Sequence, residues 1–266
     1  MRIAIGQLHC RVGNSESSVL EAVGAARDEG ADLFVTPELA LSGYALARAN
    51  GDTARTLDDV AALFDDAEPA VVVGFHERLG EATFNSSVWI EGGTPLHVHR
   101  KLYLCDYPPF DEHELYAPGD ALRAFDTELG RVAILTCNDA WQPFAPALAA
   151  HDGAELLVIP AASSTAVAEA EAYWRDLTRL YARLLQCYVV FANQAESEGG
   201  FTFWGGSHVV DPRGEVIAAA GPDETVLMAD VDLAQVAERR AELPLLGDLR
   251  PDVLVAELER HAGSRT

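Results

Sequence analysis

The sequence predicts a layered α/β sandwich folded as a single domain. Three observations point there: apolar runs of strand length recur along the chain, segments with helical spacing separate many of them, and tight turns join others directly. A length of 266 residues suits one large α/β domain with a substantial core.

Residues 2–8 (RIAIGQL) read as the first strand, and 16–29 as a helix whose N-cap region is Asn14 and Ser15. The run 32–38 (DLFVTPE) is a short buried strand closed by Thr36-Pro37-Glu38, followed by helical spacing over 56–66. A strand at 70–77 precedes two more, 84–92 and 94–102, with the turn EGGTP making a hairpin between them. Residues 131–139 (RVAILTCND) form a buried strand, 141–151 a short helix, 154–163 a strand, and 167–187 a long amphipathic helix. The runs 188–196 and 205–220 close the sheet region, the latter folding back at the turn DPRG. Residues 225–232 are the last strand, and a helix starts near Leu233. The domain is expected over 1–240, with 241–266 a polar, proline-interrupted tail that lies loose or packs on a partner subunit.

Acidic residues number 42 against 19 basic ones, for a net charge of −23. Nucleic-acid binding rests on cations that neutralise phosphates, so that class is disfavoured, as are anionic membrane surfaces. No apolar run approaches the roughly 20 residues of a membrane helix. Gln7, His9 and Arg11 interrupt the N-terminal run before a signal-peptide core develops, so a cytoplasmic protein is expected. The four cysteines, Cys10, Cys105, Cys137 and Cys187, show neither CxxC pairing nor zinc spacing, and disulfides are not expected.

Three polar residues stand at the ends of apolar strands, where α/β proteins build their sites. Glu38 follows DLFVTP, Lys101 follows LHVHR, and Cys137 follows RVAILT. Lys101 is the only lysine in the chain. Together the three supply a nucleophilic site. A thiol attacks as thiolate, a desolvated carboxylate can take its proton and pass it to a leaving amine, and an ammonium can hold the oxyanion of a tetrahedral intermediate. That is acyl transfer from a C–N bond to cysteine, followed by hydrolysis. Taken singly, each residue has a plainer reading: a core thiol, a cap carboxylate, a solvated ammonium.

The combination resembles the nitrilase superfamily of carbon–nitrogen hydrolases, which use Glu-Lys-Cys. TPELALSGY (36–44) is similar to the segment around the family's glutamate, HRKLYLCDYPPFDEHELYAPGD to its lysine segment, and ILTCNDAWQP to its nucleophile segment. The likeness continues through DGAELLVIPAAS and ANQAESEGGFTFWGGSHVVDPRGEV to Arg239, Pro244 and Arg250. It implies a four-layer α-β-β-α sandwich, commonly dimeric through helices packed side by side. It also implies roles: Cys137 as nucleophile, Glu38 as general base and acid, and Lys101 with the N–H of Asn138 as oxyanion stabiliser. Glu112 matches a second glutamate that orients the lysine and the substrate. Tyr44, Asn138 and Trp141 are expected to bind substrate, with Tyr107 and Phe110 in the pocket wall. The expected activity is hydrolysis of a small linear amide, with no cofactor, no metal, and a homo-oligomeric state.

Two positions depart from the family pattern. Cys105 stands where a proline commonly follows the lysine, and Cys137-Asn138-Asp139 replaces the Cys-Trp-Glu of nitrilases. The second departure favours amide or carbamoyl substrates over nitriles. An N-carbamoyl amidohydrolase is the alternative, with Arg175 and Arg179 as candidate partners for a substrate carboxylate. A metal hydrolase using His97, His99, Asp106, Asp111, Glu112 and His113 and a non-catalytic binding member of the fold are more distant readings.

Overall fold

The computed structural model describes residues 1–13, 15–44, 53–64 and 69–263. Two six-stranded sheets form its centre. In the first, β14 (Thr225–Asp230), β1 (Arg2–Gln7), β2 (Leu33–Val35), β3 (Ala70–Leu79), β4 (Ala82–Glu91) and β5 (Thr94–Arg100) lie in that order. In the second the order is β13 (Val216–Ala219), β12 (His208–Val210), β9 (Tyr188–Asn193), β8 (Leu156–Ala161), β7 (Gly130–Ile134) and β6 (Phe125–Thr127). Each sheet has a parallel centre, β1-β2-β3 or β7-β8-β9, flanked by antiparallel strands.

Because strand side chains alternate between faces, each central strand feeds two cores. Ile3, Ile5, Leu33, Val35, Val72 and Trp89 of the first sheet meet Val132, Ile134, Leu156, Val158 and Val190 of the second. The opposite faces are covered by helices. On the first sheet, α1 (Glu16–Asp28) buries Val19, Ala22, Val23 and Ala26, at helical spacing, against Ala4, Phe34 and Val71. A shorter helix, α2 (Leu57–Ala61), adds Val60 and starts at a capping box between Thr56 and Asp59. On the second sheet, α3 (Phe144–His151) and α4 (Ala170–Leu185) cover Ala133, Leu157, Val189 and Phe191 with Ala149, Trp174, Tyr181, Ala182 and Leu185. The result is the four-layer α-β-β-α sandwich.

Element boundaries differ from the sequence expectation where local pattern is weak. Helix α4 is shorter at both ends than the expected 167–187, with Glu169 and Gln186 in left-handed conformations as its caps. The expected 141–151 helix starts instead at Phe144, after a 3-10 turn over Cys137–Trp141. Of the expected 56–66 helix, Ala62–Phe64 is a 3-10 turn and 65–66 lie outside the described residues, as does Asn14. β6 and the two-residue ladder of β10 (Ser197–Glu198) with β11 (Phe201–Thr202) were not expected, being too short for periodicity to register. After α5 (Ala234–Glu242), the tail holds a further helix, α6 (Pro251–Gly263), none of whose residues is buried. Among the described residues no helix is long and apolar enough to cross a membrane.

Candidate active site

The strands β2, β5 and β7 deliver their next residues to one end of the sandwich. Glu38 follows β2 by way of Thr36 and Pro37, and Leu39 then turns the chain with φ of 53°. The turn presses on β3 at Gly74, where a Cβ would lie 2.5 Å from the Leu39 nitrogen and 2.6 Å from the Pro37 oxygen. Only glycine fits there. Lys101 directly follows β5, its backbone N–H donating to the Asn85 carbonyl at 2.9 Å. Cys137 opens the 3-10 turn after β7 with φ of 47°, an uncommon conformation for cysteine, braced by a capping box between Thr136 and Asp139.

Glu38, Lys101 and Glu112 form one buried network. Lys101 Nζ donates to Glu38 Oε1 at 2.7 Å and to Glu112 Oε1 at 2.9 Å, and lies 3.9 Å from the Cys105 sulfur. All three charged side chains are fully withdrawn from solvent. Glu38 also accepts from Asn85 Nδ2 at 2.7 Å and, through Oε2, from the Ala162 N–H at 2.9 Å. Glu112 accepts from the Tyr44 hydroxyl at 2.6 Å and from the Cys105 N–H at 2.9 Å. Proline has no N–H to make that last bond.

Electrostatics follow from the burial. Desolvation, with Glu112 nearby, raises the Glu38 carboxyl above the usual carboxylate range despite the ammonium of Lys101. Burial alone would lower the Lys101 ammonium, but the acidic groups around it, Cys105, Glu112, Glu38 and Cys137, hold it well above the ordinary lysine range. Burial and then Glu38 push the Cys137 thiol well above the ordinary cysteine range. Cys105 is likewise pushed up by burial, to about 12.

In front of Cys137 is a narrow pocket walled by Tyr44, Cys105, Tyr107, Phe110, Asn138, Trp141, Ser163 and Trp174, with a free volume of about 20 Å³. A larger cavity of about 430 Å³ lies at the opposite end of the strands, between Asp32, Ala70, Glu91 and Glu128. Among the described residues its lining holds no thiol, lysine or histidine, whereas the narrow pocket is lined by Cys137. Polar groups of the narrow wall are engaged by the protein. The Tyr44 hydroxyl is held by Glu112, Asn138 Nδ2 donates to the Tyr103 carbonyl at 3.0 Å, and Ser163 Oγ accepts from the indoles of Trp174 and Trp204.

Thus Glu38, Lys101, Glu112 and Cys137 converge, and Tyr44, Asn138, Trp141, Tyr107 and Phe110 line the adjoining pocket. Other candidates fall elsewhere. Arg175 pairs with Glu171 at 2.8 Å and Arg179 donates to the Gly214 carbonyl at 3.1 Å, neither on the pocket wall. His97 stacks on Phe125, and His99 pairs with Asp139 at 2.7 Å. Among the described residues no group of three or more His, Cys, Asp or Glu is arranged to hold a metal ion. Sequence reasoning missed Asn85, the Ala162 N–H, Ser163 and Trp174. Their part depends on contacts between segments distant in sequence, the Ala162 N–H reaching Glu38 across the two sheets, which no local pattern reports.

Comparison with known proteins agrees with this geometry. The sequence matches the carbon-nitrogen hydrolase family over residues 2–241. Among curated relatives, the cattle (Bos taurus) protein named omega-amidase NIT2 is 32% identical across 97% of this chain and 98% of its own length. A carbon-nitrogen hydrolase from Helicobacter pylori G27 superimposes with a TM-score of 0.86 at 26% identity, covering 95% of this chain and 96% of that one. A glutamate-to-glutamine mutant of the amidase from Nesterenkonia sp. AN1 carries the acetamide moiety of fluoroacetamide on its active-site cysteine. It matches at 25% identity and a TM-score of 0.81, over 98% of this chain and 96% of that one. With relatives aligned from end to end and the family matched across nearly the whole sequence, the chain belongs to the carbon-nitrogen hydrolases of the nitrilase superfamily.

Proposed function

We propose that the enzyme is a thiol amidohydrolase that cleaves small linear amides through a thioester on Cys137. Glu38 takes the thiol proton as the sulfur attacks the carbonyl carbon. The carbonyl oxygen becomes an oxyanion, which the Lys101 ammonium and the backbone N–H of Asn138 stabilise. When the C–N bond breaks, Glu38 returns its proton to the departing nitrogen, releasing ammonia or an amine. Glu38 then takes a proton from water, whose oxygen attacks the thioester; the acid leaves and the thiol is restored. Glu112 keeps the Lys101 ammonium in place. One observation carries the reading: a buried carboxylate and ammonium in contact at 2.7 Å, close enough for both charges to act on the Cys137 thiol. The omega-amidase name of the cattle relative and the cysteine adduct of the Nesterenkonia amidase support it.

The aromatic wall favours a small uncharged acyl group. An N-carbamoyl amino acid would need a cation for its carboxylate, and Arg175 and Arg179 are committed elsewhere. The decisive experiment measures ammonia release from aliphatic amides, ω-amide acids, N-carbamoyl amino acids and nitriles, alongside Cys137→Ala. Amide turnover abolished in that variant is the expected result. Retained turnover in Cys137→Ala, or activity on nitriles alone, refutes the reading.

We further propose a cytoplasmic homodimer. Its support is four unbridged thiols and a row of exposed apolar side chains on α3 and α4: Phe144, Leu148, Tyr173, Leu180 and Leu184. The helices of two copies would pack there, with α6 alongside. Cell fractionation checks the compartment. Sedimentation of wild type and Leu184→Glu checks the dimer, and a monomeric wild type overturns it.

A further inference from the structure

One carboxylate outside the reacting set joins the two segments that carry it. Asp139 is fully buried, and its oxygens accept four hydrogen bonds. Oδ1 takes the backbone N–H groups of Leu102 and Tyr103, each at 2.9 Å. Oδ2 takes the N–H of Thr136 at 3.0 Å and the imidazole Nε2 of His99 at 2.7 Å. Two donors therefore come from directly after Lys101, one from two residues before it, and one from the residue preceding Cys137. Lys101 follows a strand of the first sheet and Cys137 a strand of the second, so this carboxylate spans the seam between the sheets.

We infer that Asp139 and His99 are positioning residues, which set the distance between the Lys101 ammonium and the carbonyl held on Cys137. The inference rests on the roles assigned above to Lys101 and Cys137. Two physical arguments carry it. First, Cys137 sits in the left-handed region, which a side-chain-bearing residue keeps only when its surroundings over-determine it. Asp139 supplies that constraint through the capping box with Thr136. Second, a buried carboxylate with every lone pair engaged has one low-energy placement, and it imposes that placement on the backbone of 102–103. His99 completes the set. Among the described residues its buried Nδ1 has no hydrogen-bond partner, and Nε2 is the ring nitrogen that meets the Asp139 carboxylate.

The test compares full-length His99→Gln, His99→Leu and Asp139→Asn on an amide that the wild type turns over. Glutamine keeps an N–H donor at about the reach of Nε2, whereas leucine fills the space and offers none. Rates are expressed per reactive Cys137, counted by stoichiometric alkylation, so that misfolded protein does not enter. A misplacement of about 1 Å costs on the order of 100-fold in rate. The expected result is kcat lowered by at least about 10-fold in His99→Leu and about 100-fold in Asp139→Asn, with KM within about threefold of wild type and kcat restored to near wild type in His99→Gln. Should Asp139→Asn fail to fold, the leucine and glutamine pair decides. Equal kcat per thiol in His99→Leu and wild type, or equal losses in leucine and glutamine variants, overturns the inference. Turnover surviving in Cys137→Ala overturns the underlying assignment instead, so the two failures are distinct.

Discussion

Glu38 and Lys101 meet at 2.7 Å across a separation of 63 residues, and neither side chain touches solvent. An ammonium so placed has little room to change shape. Lys101→Arg keeps the charge but puts a wide planar fork where a compact head fits between two carboxylates. The fold is expected to survive, with kcat lowered by about 100-fold or more, as for loss of an oxyanion donor. Circular dichroism and steady-state kinetics on the purified variant give the answer. Wild-type turnover would make the chain's single lysine an accident of composition.

The acid limb of the pH profile is expected to report Glu38, the proposed base. Burial raises its carboxyl, so the proton is held to higher pH than on a free glutamate. Since the base must be unprotonated to receive the thiol proton, kcat/KM should fall as pH drops through a value above the usual carboxylate range. A limb at or below the ordinary glutamate value contradicts this assignment.

Cys105 offers two groups to the site, a thiol and a backbone N–H, and substitution separates them. Cys105→Ala keeps the N–H that donates to Glu112 and is expected to retain kcat within about threefold, because the proposed reaction makes no bond to the Cys105 sulfur and Glu38 and Glu112 still hold the Lys101 ammonium. Cys105→Pro deletes the N–H and leaves a buried carboxylate oxygen short of a donor, at a cost of about 1–3 kcal/mol in stability. Denaturant midpoints and kcat for both variants are the readout. Equal behaviour of the two would show that Glu112 does not depend on this bond.

Trp141 forms part of the aromatic wall, edge-on to Trp174 with ring centroids 5.7 Å apart. Trp141→Arg would set a cation opposite the acyl chain. Relative to butyramide, glutaramate hydrolysis should rise by about 10-fold or more, from an ion pair of about 1–2 kcal/mol in a partly buried site. If wild type already prefers glutaramate, the wall is not what selects the acyl group.

Strand ends were legible in the sequence because apolar runs stop abruptly there, and Glu38, Lys101 and Cys137 each follow such a stop. Those three types in one chain carry a chemical meaning that survives ignorance of the fold. What surrounds them does not. Asn85 lies inside a strand that reads as ordinary, and its amide reaches Glu38 because β4 pairs with β3, the strand on which the Glu38 turn rests. The sequence places Asp139 only in the Cys137-Asn138-Asp139 segment, because its partners after Lys101 follow a strand of the other sheet. Helix α6 was not expected: its apolar residues Val253, Leu254, Val255 and Leu258 all stay exposed, and they are set among charged residues of a proline-interrupted stretch.

The division of the site between two sheets has one more consequence. The carboxylates and the ammonium ride on one layer and the sulfur on the other, with the core of Ile5, Val35, Trp89, Ile134 and Val158 between those layers. Turnover is therefore a strain gauge for that interior: a slip of one sheet over the other, too slight for a spectroscopic signal, opens the gap between sulfur and ammonium. Warming, pressure or a trimmed core side chain should silence the enzyme while its strands are still intact.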